Sequence, residues 1–333
     1  METDETARVL VDHPVAAAQA LLPSLLGRIA VVTGASSGLG AETAKWLALR
    51  GCDEVVLAVR NADKAAAVVE AIVAEWGERV PDLASRLVTM ELDLADLASV
   101  RAFAAAYGAR HERLDILVNN AGVNAPFGAK TADGFEMMWG VNHLGTTLLT
   151  AELMPQLLAA PRAVVSNCSS AAAGSWAPAG LVPESEEGLG QMALYGRSKA
   201  ANCVFTVELQ RRLDAAGITH VRTTGSHPGW TTTGLIDRMS VFFRFVNYVC
   251  GQNVQMGSTP QLASIGAGLL PADDPRSAAK TKFFGPSCVG GLRGPPHEIP
   301  IFREAETTDE DLGRRVWDLT NAQIGVAKWA FEA

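Results

Sequence analysis

The chain has 333 residues, and its 28 lysines and arginines against 36 aspartates and glutamates give a net charge of −8. With 48% hydrophobic and 19% charged residues, the composition supports a large buried core and excludes an intrinsically disordered chain. The acidic balance offers no general basic field to nucleic acid or anionic lipid, so we expect no nucleic-acid partner.

Five cysteines lie far apart in the sequence, and their spacing predicts neither a disulfide framework nor a metal site. We therefore expect no metal and a reducing compartment. The acidic first residues lack the pattern of a secretory signal, and no apolar run reaches the roughly 18 to 20 residues of a membrane span. These features favour a soluble, cytoplasmic protein with no transmembrane segment, while organelle targeting stays open.

Residues 1–27 are predicted to form an N-terminal extension with a short apolar helix over 15–26. From Arg28 onwards, short β-rich runs alternate with longer alanine-rich stretches. The predicted strands are 29–33, 54–59, 87–92, 115–119, 163–168, 221–226 and 281–284, and the predicted helices are 39–50, 62–75, 97–110, 134–158 and 195–215. Uncharged strands that alternate with helices are typical of a parallel sheet covered on both faces. The pattern predicts one α/β domain over 28–333, a Rossmann-type doubly wound sheet of about seven strands.

Two segments interrupt the alternation, and each follows the carboxyl end of a predicted strand, where open α/β sheets bind ligands. Residues 171–194 are rich in glycine, proline and serine and are interpreted as an active-site loop. Residues 229–260 are interpreted as a substrate lid, because the apolar spacing over 241–249 predicts an amphipathic helix. An ordinary packed helix or a subunit contact remains an alternative for 241–249.

A glycine-rich turn follows the first predicted strand, with Gly34, Gly38 and Gly40 leading into a helix. Such a turn lets a pyrophosphate approach the backbone N–H groups at the start of the helix, although a bare strand-to-helix turn would carry the same glycines. Arg60 stands 20 residues after Gly40, where an NAD-binding fold usually has a carboxylate. A guanidinium suits a 2′-phosphate and favours NADP(H). A surface arginine, with Asp63 contacting the ribose, is the alternative.

Tyr195 and Lys199 are four residues apart at the start of a predicted helix and therefore share one face. A free phenol is a poor acid–base catalyst near neutrality, and a fixed neighbouring cation favours its ionised form. The pair predicts acid–base chemistry on a substrate oxygen.

Taken together, these motifs resemble the short-chain dehydrogenase/reductase family over roughly residues 28–317. The matching segments are 33–40, Asp93-Leu94, 119–122, Asn142, Ser169-Ser170, Tyr195-x-x-x-Lys199 and Pro228-Gly229. Within the family, the segments 92–101, 131–136, 141–145 and 284–287 are similar to the branch of retinol dehydrogenases, WW-domain oxidoreductases and protochlorophyllide reductases. Asn120-Ala-Gly122 and the serine pair depart from light-dependent protochlorophyllide reductases, which points to an ordinary carbonyl reductase or alcohol dehydrogenase.

The resemblance implies a catalytic role for four residues. Tyr195 would exchange a proton with the substrate oxygen, and Lys199 would assist it and bind the nicotinamide ribose. Ser170 would hydrogen-bond the substrate oxygen and stabilise an alkoxide, with an insertion in 171–194 explaining its distance from Tyr195 and with Ser169 as the alternative. Asn142 would hold a water beside Lys199.

Contacts along the cofactor are implied in the same way. Asp93 would meet the adenine, Asn119 and Gly122 would pass beneath the adenosine ribose, and Pro228 and Thr231 would bracket the nicotinamide. The implied cofactor residues are Gly34, Ser36, Ser37, Gly38, Leu39, Gly40, Arg60, Asp93, Leu94, Asn119, Ala121, Gly122, Tyr195, Lys199, Pro228, Gly229 and Thr231. Ser170, Tyr195 and Trp230 are expected to face the substrate, although Trp230 also suits a core aromatic.

Structural roles are expected for several other polar residues. Asn119 and Asn120 would also suit hydrogen bonds to the backbone at a strand end. Asp115 begins a strand remote from the reacting end, and His143 and His227 have no place in chemistry carried by tyrosine, lysine and serine.

The leading hypothesis is an NADP(H)-dependent oxidoreductase that transfers hydride between nicotinamide and a lipophilic ketone or aldehyde, or the corresponding alcohol. One alternative is light-dependent reduction of a tetrapyrrole double bond of the protochlorophyllide type. Another is a non-catalytic NADP-binding subunit of an assembly. The resemblance leaves open a homodimer or tetramer through two long helices, and also a monomer.

Overall fold

The computed structural model describes residues 20–175, 181, 189–231, 252–271, 274, 281–288 and 291–332. Within these residues, eight strands form one sheet in the order β3-β2-β1-β4-β5-β6-β7-β8. The strands are β1 Ile29–Thr33, β2 Glu54–Val59, β3 Leu87–Glu91, β4 Ile116–Asn119, β5 Ala163–Cys168, β6 Val221–Ser226, β7 Lys282–Cys288 and β8 Arg293–Ile299. Strands β1 to β7 pair in parallel, and β8 runs antiparallel to β7. The predicted doubly wound α/β class is confirmed, with one antiparallel edge strand beyond the expected seven.

The helices connect the strands and cover both faces of the sheet. They are α1 Gly38–Leu49, α2 Ala62–Trp76, α3 Leu83–Arg86, α4 Leu97–Gly108, α5 Met137–Trp139, α6 Thr146–Glu152, α7 Met154–Ala159, α8 Gln191–Ala215, α9 Val254–Leu269, α10 Glu304–Thr307 and α11 Glu310–Ile324. A π-helical stretch, Gly140–Gly145, joins α5 to α6, so the single helix predicted over 134–158 is an interrupted one. Helix α8 begins at Gln191, one turn before the predicted start.

The sequence did not predict α9, in part because it contains Pro260 and several small residues. A proline in a helix removes the N–H that would bond the carbonyl four residues earlier. Here that carbonyl belongs to Met256, and the Thr259 hydroxyl donates to it at 2.7 Å. The helix therefore continues because a neighbouring side chain replaces the missing donor.

Two apolar clusters sandwich the sheet. Every residue of β4, β5 and β6 is buried, as expected for central strands covered on both faces. One cluster includes Val165 and Leu209 of α8, and the other includes Leu47 of α1 and Ile265 of α9. The helices cover the two faces of the sheet. The loops that follow the parallel strands therefore lie together at the edge formed by the carboxyl ends of those strands.

Residues 20–26 of the extension pack against the domain. Leu22 and Leu25 are buried, and the Arg50 guanidinium donates to the Leu22 carbonyl at 3.1 Å. A Cβ at Gly266 would lie 1.9 Å from the Leu21 carbonyl oxygen, so α9 accommodates this segment only with glycine there. The end of the extension therefore contributes to the core.

Some predictions fall outside the described residues: the amphipathic helix over 241–249, residues 176–180 and 182–188 of the loop 171–194, and the part of the predicted helix before residue 20. Among the helices that the structure does describe, none has the length and apolar character needed to cross a membrane.

Candidate active site

A cleft opens at the carboxyl edge of the sheet, where β1 lies between β2 and β4. The chain leaves β1 towards β2 on one side and reaches β4 on the other, which is the topological switch point where open α/β sheets bind ligands. The cleft encloses about 620 Å³, within the range of small-molecule sites. Its walls come from the segments that follow β1 to β6, together with α8 and the β7–β8 connection.

The glycine-rich turn forms the floor at one end. Gly34 and Gly38 have φ of 67° and 56°, a region that favours glycine. A Cβ at Gly40 would lie 2.6 Å from the Gly34 carbonyl oxygen, so α1 packs directly on the turn. Ser37 precedes α1 without a side-chain cap, which leaves the first backbone N–H groups of the helix for an anion. Ser36, Ser37 and Leu39 also line the cleft.

Two cations flank the cleft beyond β2. Arg60 and Lys64 both line it and are exposed, whereas Asp63 does not line it. Asn61 caps α2 by accepting a hydrogen bond from the Lys64 N–H at 2.8 Å, which sets the first turn of the helix beside the cleft. Arg60 was predicted from its spacing and Lys64 was not; the sequence places Lys64 four residues after Arg60 in a predicted helix, but only the cap at Asn61 shows that this turn reaches the cleft.

Asp93 and Leu94, which follow β3, line the same end. The Asp93 carboxylate accepts from the Ala95 N–H at 2.9 Å, and the Asp93 N–H donates to the Ser99 hydroxyl at 3.0 Å. These bonds fix the turn after the strand.

Asn119 and Asn120 have different surroundings, and the expected ribose contact of Asn119 is not supported by its position. The Asn119 side chain is buried and donates to Thr150 and Asn167 at 3.0 and 2.9 Å, because the last strand residue points into the packed face. It does not line the cleft. Asn120 does, and its amide donates to the Thr33 carbonyl at 2.8 Å, joining the ends of β1 and β4.

Tyr195 and Lys199 reach the cleft from the first turns of α8, and both line it. Lys199 is 3% exposed, and its ammonium donates to the Cys168 carbonyl at 3.0 Å. A Cβ at Gly122 would lie 2.9 Å from the Lys199 Nζ. The segment Ala121-Gly122 therefore passes close beside the ammonium, and both of its residues line the cleft.

The two serines after β5 make different contacts. The Ser169 hydroxyl donates to the Lys199 carbonyl at 2.8 Å and accepts from the Cys203 thiol at 3.2 Å, so it holds α8 against β5. Ser170 is half-buried and lines the cleft, where its Oγ accepts from the Ala172 N–H at 3.3 Å. Of the two, Ser170 keeps a hydroxyl proton without a partner among the described contacts.

Asn142 lies in the π-helical stretch and is fully buried. Its Oδ1 accepts from the Val123 N–H at 2.7 Å, while its Nδ2 donates to the Val123 carbonyl at 3.0 Å and to Ser198 at 2.9 Å. Asn142 does not line the cleft. Its side chain instead fixes the segment after β4 against α8.

The opposite end of the cleft, around Tyr195, is more apolar. Pro228, Gly229, Trp230 and Thr231 line it from the turn after β6. Sequence reasoning missed several further lining residues, which are Val123, Asn124, Ala171, Ala172, Ser175, Met192 and Leu292. Leu292 belongs to the connection to β8, a strand that the sequence analysis had not predicted.

Both histidines considered in the sequence lie in the interior. Burial lowers the pKa of His143 to about 3 and that of His227 to about 4. His143 hydrogen-bonds Thr320 at 2.8 Å, and the His227 Nδ1 accepts from the Gly229 N–H at 3.2 Å. These contacts give both rings a structural role.

Comparison with known proteins agrees with this architecture. Residues 28–240 match the family described as short chain dehydrogenase, and the chain belongs to that family of oxidoreductases. Retinol dehydrogenase 11 from Homo sapiens is 33% identical over 302 residues, with 91% of this chain and 87% of that protein covered. Retinol dehydrogenase 13 from Homo sapiens is 33% identical over 324 residues, with 96% and 91% covered. The chain is a member of the retinol dehydrogenase-like branch, as its motifs predicted.

Solved structures show the same fold. A crystal structure of an uncharacterized protein from Mycobacterium paratuberculosis has a TM-score of 0.69 at 33% identity, with 93% of this chain and 97% of that chain covered. The Pseudomonas aeruginosa RhlG/NADP active-site complex has a TM-score of 0.57 at 26% identity, with 73% and 91% covered.

Proposed function

We propose that this protein transfers hydride between NADP(H) and a lipophilic ketone or aldehyde, or the corresponding alcohol, with Tyr195 as the general acid and base. The observation that carries the proposal is one continuous cleft. It runs from the glycine-rich turn and two cations at one end to Tyr195 and Lys199 at the other. A site for a dinucleotide and a site for proton transfer thus share one cavity.

The residues present fit a phosphorylated dinucleotide. The turn at Gly34 and Gly38 and the uncapped start of α1 would hold the pyrophosphate. Arg60 and Lys64 would bind the 2′-phosphate that distinguishes NADP(H) from NAD(H). The structure of RhlG with NADP supports this cofactor by relationship. When bound, the cofactor would supply or accept the hydride.

Tyr195 would donate its phenolic proton to the carbonyl oxygen during reduction and take a proton from the alcohol during oxidation. The Lys199 ammonium, held by the Cys168 carbonyl, would stabilise the phenolate that remains. The Ser170 hydroxyl would donate a hydrogen bond to the substrate oxygen as its charge develops. Asn142 would act by holding the segment after β4 in place.

The walls around Tyr195 support a lipophilic substrate. Met192, Trp230, Leu292 and Val123 line this end of the cleft, and apolar walls exclude water from the reacting groups. The relatives named retinol dehydrogenases take their name from a lipophilic alcohol, which agrees with such a site.

The mechanism is tested by Tyr195→Phe, which removes the transferable proton and keeps the ring. We expect kcat to fall by about 100-fold or more while the Kd for NADPH, measured by fluorescence titration, changes little. Tyr107→Phe is a matched control, because the Tyr107 hydroxyl donates to the Arg113 carbonyl and does not line the cleft. Turnover by Tyr195→Phe at the wild-type rate would refute the mechanism. Wild-type protein that binds NADPH but reduces no member of a broad carbonyl panel would instead indicate a non-catalytic subunit.

Cofactor preference is tested by removing the two cations. We expect Arg60→Ala and Lys64→Ala each to raise the KM for NADPH by about tenfold to 100-fold, since each loses a charge-assisted hydrogen bond of about 1.5–3 kcal/mol. The KM for NADH should change little. Arg314→Ala, an exposed arginine paired with Asp311 on α11, controls for the charge change. An unaltered ratio of the two KM values would remove the argument for NADP(H).

A further inference from the structure

Gln252 lies where three segments of the chain meet. It precedes α9, it forms a β-bridge with Thr231, and its side chain reaches β8. The residue is 9% exposed and does not line the cleft, and none of the sequence motifs includes it.

Both ends of the Gln252 amide are engaged. Its Nε2 donates to the Pro228 carbonyl at 2.7 Å, and its Oε1 accepts from the Gly294 N–H at 3.0 Å. The Gln252 backbone N–H also donates to the Trp230 carbonyl at 2.9 Å. One residue thus connects the turn after β6 to the start of β8.

These partners require an amide. A backbone carbonyl can only accept and a backbone N–H can only donate, so the bridging group needs a donor at one end and an acceptor at the other. A carboxylate of the same shape keeps the bond to Gly294 but sets a negative oxygen against the Pro228 carbonyl. A thioether of similar length makes neither bond.

The connected parts form one wall of the cleft. Trp230 donates its backbone N–H to the Leu292 carbonyl at 2.7 Å. A Cβ at Gly229 would lie 2.4 Å from that same carbonyl oxygen, so the turn and the β7–β8 connection are in close contact. Pro228, Trp230 and Leu292 all face the cleft at the end where Tyr195 lies.

We propose that Gln252 is a positioning residue that sets the wall of the cleft around the nicotinamide and the substrate, by holding the turn after β6 against the start of β8. The inference rests on the proposed function, because it assigns this end of the cleft to the nicotinamide. The adenosine end, at Arg60 and Lys64, does not depend on Gln252.

The test compares two ligands that share the adenosine 2′-phosphate half. NADPH carries the nicotinamide and 2′,5′-ADP does not, and the Kd of each is measured by isothermal titration calorimetry. For Gln252→Glu and for the uncharged Gln252→Met, we expect kcat/KM to fall and the Kd for NADPH to rise by about threefold to tenfold, because the hydrogen bonds that hold the wall in place are lost. The Kd for 2′,5′-ADP should stay at its wild-type value. Gln255→Glu, an exposed position on α9, makes the same charge change as a matched control.

The outcomes separate the two proposals. Wild-type kinetics in both Gln252 variants, or an equal loss of affinity for NADPH and 2′,5′-ADP with a lowered Tm, would overturn the positioning role. Selective loss of NADPH affinity in Gln252→Met but not in Gln255→Glu would support it, even where Gln252→Glu does not fold. Failure of the wild-type protein to bind NADPH would overturn the proposed function itself.

Discussion

Gly122 shows how a single backbone position controls the geometry around Lys199. A Cβ there would lie 2.9 Å from the Lys199 Nζ, so Gly122→Ala must displace the ammonium or the segment after β4. A shift of about 1 Å in a catalytic group can cost about 100-fold in rate. We therefore expect the kcat of Gly122→Ala, measured by NADPH oxidation, to be at least about tenfold below that of the wild-type protein. Gly108→Ala is a matched control, since its Cβ would meet a side-chain nitrogen, Gln156 Nε2, at the same 2.9 Å far from the cleft. Equal kcat values for the two variants would contradict the expectation.

The two buried histidines predict how stability depends on pH. The pKa values of His143 and His227 in the folded protein are about 3 and about 4, whereas an unfolded chain titrates near 6.5. The unfolded state therefore binds more protons below pH 6.5, and stability is lost as the pH falls from 6.5 towards 4. The slope is about 1.4 kcal/mol per pH unit for each histidine.

Urea unfolding at pH 7.5, 6 and 5 measures this slope. We expect His143→Gln to reduce the loss of free energy of unfolding between pH 6 and 5, whatever its effect at pH 7.5. A variant with the wild-type slope would show that His143 does not carry the dependence.

The sequence motifs identified the residues near the cleft better than they identified which way each side chain points. The asparagine pair at 119–120 was recognised, but Asn119 points into the packed face and Asn120 lines the cleft. Side-chain direction at a strand end depends on register with neighbouring strands, which a motif does not encode. Arg60 was found from its distance to Gly40, while Lys64 required the cap at Asn61 to bring the start of α2 to the cleft.

Among the elements, α11 has a polar start whose cap can be tested. The Asp309 carboxylate accepts from the Leu312 N–H at 2.7 Å, and such caps contribute about 0.5–2 kcal/mol. We expect Asp309→Ala to lower the free energy of unfolding by about 1 kcal/mol, measured by urea titration. Asp318→Ala changes an exposed residue in the middle of the same helix and should be neutral or slightly stabilising, because alanine favours helix interiors. Equal losses in both variants would exclude the cap as the cause.

Strands β1 to β6 were predictable because each is a short run, rich in apolar or β-branched residues, between helical stretches. Strand β8 was not, because Pro295 and Pro296 lie inside it and prolines argue against a strand in the sequence. An edge strand tolerates proline, since backbone N–H groups alternate in direction and those on the outer side of β8 meet no strand among the described residues. The position of α9 likewise depended on the contact between Thr259 and Met256, which composition alone does not reveal.

Two long helical segments, 137–154 and 196–213, are covered by the rest of the molecule. No residue is exposed between 137 and 154 or between 196 and 213, and every residue of these two ranges is described. Helix α11 packs on α8, where Trp317 stacks with Phe205 at 6.2 Å between ring centroids. A subunit interface needs accessible apolar surface, and these segments offer little of it, since their residues are buried or half-buried.

We therefore expect a monomer in solution, which sedimentation equilibrium over a range of concentrations would measure. Trp329→Ala is a variant for comparison. Trp329 packs against Trp317 at 4.6 Å between ring centroids, so its removal exposes apolar surface beside α8, and we expect this variant to associate more readily than the wild-type protein. A concentration-dependent dimer of the wild-type protein would contradict the expectation and require an interface outside these helices.

The antiparallel strand β8 has a consequence for crowded solutions. An unpaired edge strand of a sheet can form hydrogen bonds with a strand of another chain and so initiate aggregation. Because N–H groups alternate in direction along a strand, one of the two consecutive prolines, Pro295 and Pro296, removes a donor from the outer side of β8, and Arg293 and Glu298 add charge to the same strand. The prolines that made β8 hard to predict from the sequence thus also disfavour aggregation through this edge strand.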